Sequence, residues 1–133
     1  MLQLPMTIGR PFRLWSFAVT HSTLLLRSNI APGLETRVDV LFKEVRFVLL
    51  KSHYSRLEIE PAAESESQRL AEEMLVDLAG RFVFTLGRAG TENWGLVVAG
   101  SLFVAEDDLT DGHPSVIDHR EFADHVKFQD HFY

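Results

Sequence analysis

The sequence predicts a mainly β, α+β domain: about seven antiparallel strands in a sandwich or partly open barrel, with one inserted helix and a C-terminal helix. Three observations carry this. Apolar and polar residues alternate over several short runs, most clearly from Thr36 to Phe42. Turn-forming clusters such as Pro32-Gly33 and Gly87–Asn93 separate those runs. Only one internal stretch, Ala62 to Leu78, is rich in strong helix formers.

Taken in order, Phe12–Val19 reads as a first strand with both faces partly covered, because its alternation is imperfect. Thr20-His21 permits a turn into a second strand, Ser22–Ser28, so the two predict a hairpin. In Thr36–Phe42, Val38, Val40 and Phe42 share one face, and Arg37, Asp39 and Leu41 share the other. Lys43-Glu44 interrupts before Val45–Lys51, which makes either a hairpin or one long bent strand. A short strand follows at Arg56–Glu60. Leu70, Met74 and Leu78 recur at helical spacing, with Leu75 widening the stripe, and predict a helix over 66–78 that Gly80 stops. Arg81–Leu86 returns to strand, and Trp94–Val104 is a strand pair or one strand broken at Gly100-Ser101.

Residues 1–109 thus form a strand-rich core domain, and 110–133 an acidic, histidine-containing tail or helix rather than an independent domain. Asp111–Pro114 reads as a linker. Asp118 with Glu121 has the form of a capping box and predicts a helix over 119–131. A strand is the competing reading, since Phe122, Val126, Phe128 and Phe132 share parity.

The 133 residues are 46% hydrophobic, enough for one domain with a real core. Cysteine is absent, which excludes a disulfide scaffold, a thiolate metal site and a cysteine nucleophile. No secretory leader pattern opens the chain, and no apolar run approaches the length of a membrane span. A cytoplasmic location is expected. Charge is segregated: residues 105–133 carry eight carboxylates against Arg120 and Lys127, while residues 1–57 carry eight Lys/Arg against three acids. The acidic portion is the simplest anion available to the basic half.

Within the tail an Asp-His pair recurs every six residues, at Asp118-His119, Asp124-His125 and Asp130-His131, after a further histidine at His113. Imidazole and carboxylate suit Zn, Ni or Cu. A step of six, however, turns a helix by ~240° and advances a strand by ~20 Å, so these histidines do not converge on one ion. No metal and no cofactor is expected. His21, Ser16, Ser22 and Asp39 can be written as a triad but lack any nucleophile-elbow signature, so no catalytic residue is assigned. Gly87-Arg88-Ala89-Gly90 has the form of an RNA-clamping loop, but strands flank it rather than helices.

Candidate binding residues are Arg13 and Arg37 on predicted basic strands, Trp15 and Trp94 as stacking surfaces, His21 at the hairpin, and Asp118 and Asp124 in the tail. The segments Phe12–Ser16, Val19–His21, Leu24–Ser28, Thr36–Lys43, Val97–Gly100 and Glu106–Asp108 together resemble a family of short bacterial proteins of unknown function, chiefly actinobacterial. About half the chain is covered, and the resemblance implies no activity, cofactor or site residue. The order of strands before a C-terminal helix is similar to pleckstrin-homology-like split barrels, which host binding more often than catalysis.

The functional expectation is a non-enzymatic bacterial protein-binding module, immunity- or antitoxin-like in one form, with a basic protein meeting the acidic tail. A small-molecule-binding or hydrolytic pocket near His21 is the first alternative. A lipid or nucleic-acid reader using a basic sheet face is the second, with nucleic acid the less favoured partner. An exposed edge strand would also be compatible with a homodimer.

Overall fold

The computed structural model describes residues 1–133. Eleven strands form two antiparallel sheets. In chain order they are β1 (Met6–Ile8), β2 (Phe12–Ala18), β3 (Thr23–Ser28), β4 (Arg37–Lys43), β5 (Phe47–Leu49), β6 (His53–Tyr54), β7 (Leu57–Pro61), β8 (Phe82–Leu86), β9 (Gly95–Ala99), β10 (Ser101–Asp107) and β11 (Val126–Phe132). Helix α1 spans Glu64–Met74, and a 3-10 helix, η1, spans Arg120–His125. One sheet has the order β1-β7-β8-β9-β5, the other β11-β10-β4-β3-β2-β6. The sandwich class is as the sequence predicts; the strand count is larger and the helices differ.

Alternation in the strands builds the core. Val38, Val40 and Phe42 of β4 point inward with Leu24 and Leu26 of β3 and Leu102 and Val104 of β10. Leu57, Ile59, Phe84, Leu86 and Val97 meet them from the opposite sheet. Each sheet is also covered outside. On the five-stranded sheet, Leu70 of α1 packs over Val83, Leu96 and Val98. On the six-stranded sheet, Leu109, Val116 and Ile117 pack over Ala105.

Two strand interruptions read from sequence turn out to be sheet crossings. The chain leaves the six-stranded sheet at Lys43 and enters the other at β5, and it makes the reverse passage at Gly100. The crossings lie side by side, with the Gly100 amide donating to the Lys43 carbonyl at 2.9 Å. A Cβ on Gly100 would sit 2.3 Å from a Glu44 carboxylate oxygen, so glycine lets the two crossings touch.

The helix is shorter than its apolar stripe predicts. Leu75 adopts a left-handed conformation (φ 55°) and ends α1, and Val76 and Leu78 turn back onto the sheet. Leu75 is 90% exposed and Met74 53%, so the stripe at 70–78 is not one buried face. The expected C-terminal helix is also corrected. Asp118 makes no cap; φ there is +66° and its carboxylate reaches Lys43 instead. Only one 3-10 segment follows before β11 pairs along β10. The open edge of β10 decides this outcome, because a strand satisfies its unpaired backbone groups and a helix would not. Phe132 is thereby placed against Phe82 and Phe84, with ring centroids 5.3 and 5.8 Å away.

Gly87 follows β8 in the connection to β9. Its φ is +59°, and an added Cβ would lie 2.5 Å from the Asn93 carbonyl oxygen. Gly87→Ala therefore meets both left-handed strain and fixed backbone. It is expected to cost at least about 2 kcal/mol, read as a lower midpoint in denaturant melts.

Candidate functional site

The outer face of the six-stranded sheet carries four charged side chains buried to 2% exposure or less. Arg27 pairs with Asp39 through two bonds, Nε–Oδ1 at 2.7 Å and an Nη–Oδ2 contact at 3.1 Å. Arg37 pairs with Asp107, Nε–Oδ1 at 3.0 Å. Register explains the first pair, since Arg27 faces Asp39 across β3 and β4; it explains the second as well, since Arg37 faces Asp107 across β4 and β10.

The remaining guanidinium donors hold the 110–114 loop by its carbonyls. Arg37 donates to Thr110, His113 and Pro114 at 3.0, 2.7 and 2.9 Å. Arg27 donates to Asp111 and His113 at 3.2 and 3.3 Å. The segment read as a linker is thus bound to the sheet by two buried ion pairs sharing one carbonyl, that of His113. With its carboxylate and carbonyl partners Arg37 satisfies all the donors a guanidinium has.

Held in this way, residues 111–119 wall a groove along the outside of β2 and β3. One end, a cleft of about 380 Å³, is lined by Trp15, Ser16, Leu25 and Arg27 against Asp111–Ser115. Arg27 lies 5.1 Å from the centroid of the Trp15 ring, a cation–π contact. The other end, about 550 Å³, contains His21, Thr23, Leu41, Lys43 and Glu44 against Ser115, Ile117, Asp118 and His119. Ser115 lines both ends. Lys43 bonds Asp118 at 2.5 Å and sits 4.6 Å over the Phe103 ring. His119 Nδ1 lies 3.1 Å from the Ile117 carbonyl, which requires its proton on that nitrogen.

A second feature adjoins the groove. β6 covers β2 only at Phe12 and Arg13, and no strand pairs with the outer edge of residues 15–18. Leu14, Trp15 and Phe17 are exposed there at about two-fifths each, as are Val48 and Leu49 of β5, the edge strand of the other sheet. The Leu14 amide bonds the Ser52 carbonyl, so the segment leading into β6 covers β2 as far as Leu14.

Of the residues singled out from sequence, Trp15, His21 and Asp118 line this one groove. Arg13 lies nearby, in a smaller cleft with His53. Arg37 is fully buried and structural in its contacts. Trp94 packs against the α1 side of the other sheet, and Asp124 is exposed on η1 away from the groove lining. With Arg27 and Arg37 consumed by aspartates, the strand arginines do not form one open basic face. Lys43 was not singled out, and His119 only as one of the repeated tail histidines; parity put Lys43 on the outer face, but only the sheet order brings 115–119 over it.

The six-residue histidine spacing distributes the imidazoles. His113 bonds Thr110, His119 bonds Ile117, His125 bonds Asp108, and His131 stacks on Phe103. No group of three or more His, Asp or Glu side chains is arranged to hold a metal. Several tail carboxylates are internally paired: Asp107 with Arg37, Asp118 with Lys43, Asp108 with His125 and Lys127, and Asp130 with the N-terminal amine.

The hydrogen bond from His125, helped by Lys127, holds the Asp108 carboxyl below the usual carboxylate range. The His131 amide and the N-terminal ammonium do the same for Asp130. Because both folded values are depressed, this contribution is present above the unfolded value of about 3.9 and lost as pH falls through the folded values. Acidification below about pH 4 is therefore expected to loosen β11. Amide exchange at 126–132 should accelerate before that of β3 and β4, and Asp108→Asn should reduce the pH dependence of that acceleration.

No helix is long and apolar enough to cross a membrane. No protein family, curated protein or solved structure matches the chain.

Proposed function

We propose that this chain is a non-enzymatic protein-binding module that takes an extended segment of its partner along the open edge of β2. The observation that carries the reading is the uncapped edge at residues 15–18, flanked by exposed Leu14, Trp15, Phe17, Val48 and Leu49. An added strand would gain main-chain hydrogen bonds from β2. Its alternate side chains would fall toward the groove on one side and toward Phe17 and Leu49 on the other. An immunity- or antitoxin-like role in a bacterial cytoplasm is one form of this reading. Because many tail carboxylates are already paired within the chain, an apolar partner surface suits the edge better than a basic one.

The test is affinity capture from the native host with the full chain and with Phe17→Lys. A protein retained in stoichiometric amount by the first and lost with the second supports the reading. Identical retention by both would place binding elsewhere.

A second reading rests on the cleft that brings His21, Lys43, Asp118 and His119 together. Its volume of about 550 Å³ lies in the range of small-molecule sites. Ser115 Oγ accepts from the Ile117 amide, and no nucleophile–base pair is formed there, so binding is favoured over hydrolysis. Perturbation of the His21 and His119 ring resonances by a small polar ligand, without change at Trp15, would support it.

A further inference from the structure

We infer that the open β2 edge pairs with a second copy of the same chain, two β2 strands meeting antiparallel across a two-fold axis. This rests on the edge being the binding surface, as proposed above. Three observations select a second copy.

First, the exposed stretch Leu14–Thr20 carries no charge. Of the devices with which natural sheets protect open edges, a bulge is present between Leu14 and Ser16, but no lysine, proline or inward-pointing charge stands on residues 14–20. Arg13, the nearest charge, lies where β6 already caps the strand. A strand without charge can approach itself without like-charge repulsion.

Second, the surface is self-complementary. An antiparallel strand pair on a two-fold axis places the same patch on both sides. Leu14, Trp15, Phe17 and Val19 of one copy would meet the same set on the other, and the two six-stranded sheets would become continuous.

Third, the exposed apolar area is of the order a weak dimer needs. Leu14, Trp15, Phe17, Val19, Val48 and Leu49 leave roughly 600 Å² open per copy by their fractional exposures. Complete covering of all six in both copies sets an upper bound of about 1,200 Å², at the lower end of specific interfaces. An open apolar area of this order lies at the upper end of what monomers carry and commonly marks a binding surface.

Charge gives the pairing a signature. Each copy carries a net charge of −6, so two copies repel at long range. Salt should therefore strengthen the dimer, whereas it would weaken a complex with a basic partner.

The experiment is sedimentation equilibrium of the full chain from micromolar to several hundred micromolar, at low and high salt. Phe17→Lys and Val48→Lys are run beside it. Both sites are exposed, and an unchanged thermal melt confirms that each variant folds. The expected result is a monomer–dimer equilibrium that tightens with salt and weakens by about tenfold or more in Phe17→Lys. A chain that stays monomeric throughout, or a dimer indifferent to both variants, overturns the inference. If the chain is monomeric yet a different protein is captured and lost with Phe17→Lys, the second copy is wrong and the edge stands. If Phe17→Lys alters neither, both fall.

Discussion

Arg37→Met lowers stability by about 3–5 kcal/mol, the expected effect of removing one partner from a buried ion pair. The side chain is fully buried, and its loss leaves the Asp107 carboxylate charged in the interior with only the Leu109 amide beside it. It also removes one donor each from the Thr110, His113 and Pro114 carbonyls; Thr110 keeps the His113 amide and His113 keeps Arg27, while Pro114 loses its donor. Methionine keeps the length of the side chain, so lost packing contributes little. Against a domain stability of about 5–15 kcal/mol, this is a large fraction, visible as a fall in melting temperature of roughly 10–20 °C. The double variant Arg37→Met/Asp107→Leu should recover part of the loss, because the uncompensated charge is gone. Recovery stays incomplete, since the Pro114 carbonyl and the Leu109 amide still lack the partners they have in the parent chain. A local signature accompanies the global one: residues 109–119 should exchange their amides faster in Arg37→Met even where the rest of the fold persists.

Phe84→Ala is expected to cost about 3–5 kcal/mol, the usual loss for a fully buried aromatic. Phe84 sits on β8 with no exposure and lies 5.5 Å from Phe42, 6.1 Å from Phe82 and 5.8 Å from Phe132. These rings belong to β4, β8 and β11, so the cluster joins the two sheets and fixes the C-terminal strand. The denaturant midpoint should fall with little change in the slope of the transition, as for a change in stability alone. Unlike Arg37→Met, this variant should speed exchange in both sheets together.

Much of the sandwich was legible because it rests on local alternation. The inward set Val38, Val40 and Phe42 follows directly from parity, and the β2–β3 hairpin from two apolar runs around Thr20-His21. What parity cannot supply is the partner of each strand. Arg37 and Asp39 share the outward face of β4, and outward ordinarily means solvent. Here the 109–119 segment covers that face, so the same residues are buried and paired. The Lys43-Glu44 and Gly100-Ser101 breaks were visible, but their meaning as crossings between sheets depends on long-range pairing. The C-terminal region misled for a related reason. Asp118 and Glu121 satisfy a local helix pattern, yet Lys43 captures Asp118 and the edge of β10 captures 126–132. At the candidate site, His21 and Asp118 were each visible as polar residues outside the core pattern; their meeting across some hundred residues was not.

The claim that β2 is the binding edge is tested most directly by photo-crosslinking in the native host. A photoreactive amino acid replaces Phe17 in one chain and exposed Glu72, on α1, in another. A discrete adduct from position 17, whether with a second copy or a different protein, and none from position 72, is the predicted result. Adducts from 72 alone, or none from 17 while the chain is held in a complex, would contradict the account.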